Sequence, residues 1–88
     1  MALFMDVHDH VEGLTAEAVA QAHARDVEVQ AAHGVNYQQY WFDEGSGRVF
    51  CLVEAPSAEA AVAVHHEAHG LLADSITPVQ SGAVAGEG

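Results

Sequence analysis

The feature that most constrains this chain is the order in which two kinds of periodicity alternate along it. Ala2 to Val11 alternates, with Leu3, Met5 and Val7 on one side and Phe4, Asp6, His8 and His10 on the other. A period of two predicts a half-buried strand, which Gly13 ends. Ala16 to Ala32 is rich in alanine and free of Gly and Pro, and it predicts a helix. Thr15 is its N-cap, Glu17 lies in its first turn and Gly34 is its stop. Val35 to Phe42 and Arg48 to Glu54 predict two strands joined across Glu44-Gly45-Ser46-Gly47 as a hairpin. Pro56 and the N-cap Ser57 open a second helix that runs to about His69, where Gly70 stops it. Ile76 to Gln80 predicts a last strand, and Pro78 restricts it to a sheet edge.

The order is β-α-β-β-α-β. Right-handed crossovers turn that order into a ferredoxin-like α+β fold, a four-stranded antiparallel sheet with two helices on one face. Residues 1–80 form a single domain in this reading, and 81–88 a small, polar, disordered tail. If Leu3, Met5, Val7, Phe50 and Leu52 face the helices, then Phe4, Val49, Cys51 and Val53 lie on the open face. An open face with apolar residues predicts a homodimer.

An 88-residue chain has a thin core and commonly relies on a disulfide, a metal or a partner. Cys51 is the sole cysteine, so metal and oligomerisation remain, and a single thiol fits a reducing cytoplasm. No stretch reads as a signal peptide or a membrane span. The chain carries 13 acidic residues against Arg25 and Arg48, a formal charge of −11. That charge disfavours nucleic acid and anionic membranes and attracts cations. It also serves solubility alone.

Seven histidines are many for this length. The topology puts His8, His10, His66 and His69 at one end, with His65 and His23 one to two turns below. His33 falls at the other end, where a helix C-terminus favours it. His65 and His69 are four apart on one helix, a spacing that lets two imidazoles share a metal. Without metal, His65 would be a hydrogen-bonded core residue. Asp26 lies on the core stripe with Val19, Ala22 and Val29, and a buried carboxylate needs a partner. His23, His65 or a metal would each serve. Asp26 could also orient a ligating imidazole. Ala61, His65 and Ala68, continued by Leu72, share one face of the second helix. A second constellation, on the open sheet face, joins Asp6, His8 and His10 with Cys51 on the neighbouring strand. Imidazole, carboxylate and thiolate suit nickel, copper, cobalt or zinc. Cys51 taken alone reads as a small core residue. Such ligands must lose protons, so metal affinity should fall below about pH 6.

Met5-Asp6-Val7-His8, the pair His23 and Asp26, Val64-His65 and above all Cys51-Leu52-x-Glu54-Ala55-Pro56-Ser57-x-Glu59-Ala60 carry a resemblance. Over residues 2–80 the chain resembles the small bacterial nickel-binding proteins of ferredoxin-like fold, which sit within a larger domain family of unknown function. The resemblance implies a homodimer, nickel at histidine-rich surface sites and a role in nickel sequestration or tolerance. His8, His23, Asp26, Cys51 and His65 match its pattern; His10, His66 and His69 are additional. The candidate metal residues are therefore Asp6, His8, His23, Asp26, Cys51, His65 and His69, with nickel or another divalent transition metal. The competing expectation is a small dimeric α+β barrel enzyme of monooxygenase or cyclase type. It would use a His/Asp pair in a helix–sheet pocket of roughly 300 Å³ or more.

Overall fold

The computed structural model describes residues 1–85. The elements are β1 (Ala2–His8), α1 (Ala16–Val29), a 3-10 turn (Gln30–His33), β2 (Asn36–Asp43), β3 (Arg48–Ala55), α2 (Ala58–Ala68) and β4 (Ser75–Val79). The strands form one antiparallel sheet in the order β2-β3-β1-β4. This is the ferredoxin-like α+β arrangement that the order of elements implies. Pro78 lies on the edge strand β4, where a missing N–H is tolerated. The expected tail begins in 81–85, which hold no helix or strand, and its last three residues lie outside the described part.

Both helices start where their side chains can satisfy orphan backbone donors. Thr15 Oγ1 accepts from Ala18 N at 3.1 Å, and Ser57 Oγ accepts from Ala60 N at 3.2 Å. Glu44, in the β2–β3 turn, accepts from Ala16 N at 2.9 Å and ties the hairpin to the start of α1. The first helix is shorter than its alanine run suggests. It tightens into the 3-10 turn after Val29, and Gly34 ends that turn at φ 66°.

One expectation is inverted. The strand side that faces the helices carries Phe4, Asp6 and His8 of β1 and Val49, Cys51 and Val53 of β3, all buried. Leu3, Met5, Val7, Phe50 and Leu52 are only partly buried and face away from the helices. Register confirms the shared side: Phe4 pairs with Val53, Asp6 with Cys51 and His8 with Val49. The cause is polar pairing. The helices present Asp26 and His65 to the sheet, and a fully buried carboxylate facing Leu3, Met5 and Val7 would have no partner. The sheet side rich in polar residues satisfies it instead.

The core has an apolar floor of Phe4, Val53, Ala55, Ala61 and Val64. Alanine at Ala61 and Ala68 lets α2 come close to the sheet. Leu72 does not continue the buried face of α2. It lies past the end of the helix and is 50% exposed.

Candidate metal centre

Four elements each contribute to a single buried cluster between helices and sheet. Strand β1 supplies Asp6 and His8, β3 supplies Cys51, α1 supplies His23 and Asp26, and α2 supplies His65 with His69 at its C-cap. The two constellations expected on opposite faces of the sheet are therefore one, and the reversed strand side is what joins them.

His65 is the hub. Its Nδ1 donates to Asp26 Oδ1 at 2.9 Å, and its Nε2 lies 3.0 Å from Asp6 Oδ2. The second approach is close but off the axis of a hydrogen bond, so Nε2 has no hydrogen-bond partner. Asp26 Oδ1 also lies 3.1 Å from His69 Nε2. Asp6 Oδ1 lies 3.6 Å from His8 Nε2. Tyr37 OH points at Asp6 Oδ2, 3.0 Å away, and at the carbonyl of Ala61, 3.2 Å away. The Tyr37 ring stacks on His65 at 4.6 Å, and Tyr40 stacks on His23 at 4.1 Å. His23 Nε2 lies 3.4 Å from Cys51 Sγ, within hydrogen-bond reach.

Both tyrosines escaped the sequence reading. They are three apart on β2, so strict alternation puts them on opposite sides. A bulge between Tyr37 and Gln39 restores a common side, pairing Tyr37 with Val53 and Tyr40 with Cys51. Nothing in the sequence marks that bulge.

The electrostatics are those of opposed charges in a dry place. Burial pulls His65 down, but the hydrogen bond to Asp26 and the charges of Asp6 and Asp26 outweigh it and hold the imidazole at about 9. Burial pushes Asp26 up, but hydrogen bonds from His65 and His69 overcome it and bring the carboxyl to about 2. Burial lowers His8 and His23, with the nearby carboxylates opposing it. Burial, with the charge of Asp6 beside it, pushes the Cys51 thiol well above its ordinary range.

The donor set fits a borderline transition metal. One ligand atom from each of Asp6, His8, Cys51 and His65 lies within 4.8 Å of the others, and the same holds for Asp26, His65 and His69. Asp6 Oδ1, Asp26 Oδ2 and His65 Nε2 are buried with no hydrogen-bond partner. Buried polar atoms without partners are costly, at about 1–3 kcal/mol each, and a cation in place of the His65 proton would satisfy Asp6 Oδ1 and His65 Nε2. The separations of His8 Nε2 from Asp6 Oδ1, 3.6 Å, and of His65 Nε2 from Asp6 Oδ2, 3.0 Å, compare with the roughly 3 Å that separates neighbouring ligands on a metal with bonds of about 2.1 Å.

The other histidines lie outside the cluster. His10 follows the end of β1 rather than continuing it. It is exposed, 3.3 Å from the Ser46 carbonyl and 3.4 Å from Glu12. His66 is exposed. His33 is not isolated at the far end of the domain: the 3-10 turn brings it to α2, 2.7 Å from Glu67. A cavity of about 160 Å³ opens on the cluster between α1 and the sheet. That is about half the volume the enzyme expectation requires.

A family model described as nickel responsive protein SCO4226-like matches residues 4–79. The chain belongs to this family. The crystal structure of SCO4226 from Streptomyces coelicolor A3(2) superposes with a TM-score of 0.86 at 44% identity, covering 93% of this chain and 100% of that one. None of the curated proteins matches the chain. The family resemblance seen in the sequence is thus shown, with one difference in placement. The resemblance implies metal at the surface, whereas Asp6, His8, Cys51 and His65 are all buried.

Proposed function

We propose that this protein is a non-catalytic nickel-binding protein serving nickel sequestration or tolerance. The observation that carries the reading is the convergence of Asp6, His8, Cys51 and His65 around buried polar atoms that lack hydrogen-bond partners. The description of the family as nickel-responsive supports the choice of metal. Carboxylate, imidazole and thiolate would also hold cobalt, copper or zinc, so nickel is favoured by the family and not by the donors. His8, Cys51, His65 and Asp6 are the proposed ligands. Asp26 orients His65 through Nδ1, the usual role of a carboxylate behind a ligating histidine, and His23 and His69 stand at the rim.

Calorimetric titration with nickel chloride at pH 7.5 tests the reading. The expected result is binding tighter than that of a control protein with exposed histidines only, weakened at least ten-fold by His8→Ala. Binding no tighter than the control overturns it. A homodimer through the open sheet face and a cytoplasmic setting complete the proposal. The first rests on the apolar side chains left uncovered there and the second on the lone thiol. No described helix is long and apolar enough to cross a membrane. With two basic residues in the chain, nucleic acid is not a proposed partner.

A further inference from the structure

The cavity that opens on the cluster extends beyond the proposed ligands. It measures about 160 Å³, and its walls are mostly apolar, with Val11, Leu14, Val19, Ala22, Val49 and Leu71 among them. Its polar end is formed by His8, His23, Asp26, Cys51, His65 and His69, and exposed Glu12 and Gly13 also line it. An apolar cavity of about 150 Å³ accepts one benzene ring and stays free of water otherwise. The space therefore has room for one small ring, walls that favour its faces and edges, and a polar end that would meet a single donor atom.

We infer that this cavity is a binding site for one neutral nitrogen heterocycle of five or six ring atoms, its nitrogen directed at the metal cluster and its carbons against the apolar walls. The inference rests on the nickel-binding reading for its charge argument. Asp6 as carboxylate and Cys51 as thiolate already balance a divalent cation, and Asp26 adds a further negative charge beside them. An anionic ligand would bury excess negative charge, whereas a neutral donor adds none. Glu12 in the lining and the net charge of −11 repel anions further. Borderline metals accept aromatic nitrogen readily. In the metal-free protein the same nitrogen can accept a hydrogen bond from the Cys51 thiol, so the ring still binds, more weakly.

The test is calorimetric titration of nickel-loaded and metal-free protein with pyridine and, separately, with benzoate. Ala22→Phe fills the cavity from α1, and Ala22 is not itself a proposed ligand. Ala18→Phe, also in the lining, is the second variant should the first fail to melt cooperatively. We expect pyridine to bind the nickel-loaded protein at least ten-fold more tightly than benzoate does. We expect either variant to lose at least ten-fold in pyridine affinity while its nickel affinity changes less than two-fold. Pyridine binding that is equal in wild type and variants overturns the proposal, and so does tighter binding of benzoate. If nickel itself does not bind, the functional reading fails, and the metal-free titration still decides the cavity. There, pyridine binding that the variants abolish supports the site, and binding they leave unchanged overturns it.

Discussion

At the scale of single residues, His65 decides how this protein responds to pH. Its imidazole is held at about 9 between two carboxylates, against 6.5 in an unfolded chain. A raised basic group adds stability that is fully present below pH 6.5 and lost as pH rises through 9. The loss amounts to about 3 kcal/mol at most, from roughly 1.4 kcal/mol per pH unit. His8 and His23 are lowered, so they oppose this slope near pH 6.5, where the unfolded imidazoles are still half charged, and drop out about one unit above it. Asp26, brought to about 2, contributes stability present above 3.8 and lost as pH falls through 2. Cys51, pushed up, acts in the same direction as His65 from its unfolded value of 9.0 upward. Urea denaturation of the metal-free protein should therefore show stability falling between about pH 7.5 and 9. Nickel affinity should rise over the same range, because the ligand proton leaves. Ligation by His65 thus moves the onset of proton competition well above the pH 6 expected of ordinary histidines. A metal-free stability that is flat across the window would refute the charged His65.

Asp26→Asn sharpens the same point. It removes a charged acceptor from a buried imidazolium, which should cost about 2–4 kcal/mol near pH 6. The cost should shrink towards pH 9, where His65 is losing its charge, so the variant's stability slope flattens. Chemical denaturation at the two pH values checks both. The sequence signals Asp26 well, because an acid on an apolar helical stripe is anomalous. It does not say which of His23, His65 or a metal answers it. That depends on the helix–helix approach, which no local pattern encodes.

At the scale of elements, the order and type of all six main segments can be read from periodicity, caps and turns. The side of the sheet cannot. Hydrophobicity ranks Leu3, Met5 and Val7 above Phe4, Asp6 and His8 for burial, and the structure reverses the ranking. A core built around buried polar groups follows their mutual pairing, a non-local term, so alternation gives the period and leaves the phase open. The bulge in β2 hides Tyr37 in the same way. Tyr37→Phe isolates what that element supplies. The loss of a hydroxyl aimed at Asp6 and the Ala61 carbonyl should cost about 1–3 kcal/mol in a melt of the metal-free protein. It should also weaken nickel binding, since Asp6 loses a group that fixes its orientation. A variant equal to wild type in both measurements would show that Asp6 is held by His65 and the backbone alone.

At the scale of the molecule, the reversed sheet side leaves an apolar surface without cover. Leu3, Met5, Val7, Phe50 and Leu52 share the side of the sheet away from the helices, and Trp41, paired with Phe50, joins them at 44% exposure. A chain of net charge −11 gains nothing by presenting its most apolar strand residues to water. None of these six positions is acidic, and the charged residues of the same side, Glu54, Arg48 and Asp43, lie at the strand ends. Self-association through a two-fold axis would bring the face against itself, and a stable dimer buries about 1,200–2,000 Å² in total. Leu52→Glu puts a charge at a central strand, β3, on that face. Burying it unpaired twice in a symmetric interface is prohibitive, while in a monomer the carboxylate faces water at little cost. Sedimentation velocity should therefore give a dimer for the wild type and a monomer for Leu52→Glu, with far-ultraviolet dichroism unchanged. Nickel affinity should persist in that monomer, because every proposed ligand comes from one chain and lies on the opposite side of the sheet. A wild type that sediments as a monomer at tens of micromolar would remove the homodimer. The open face would then belong to a different partner.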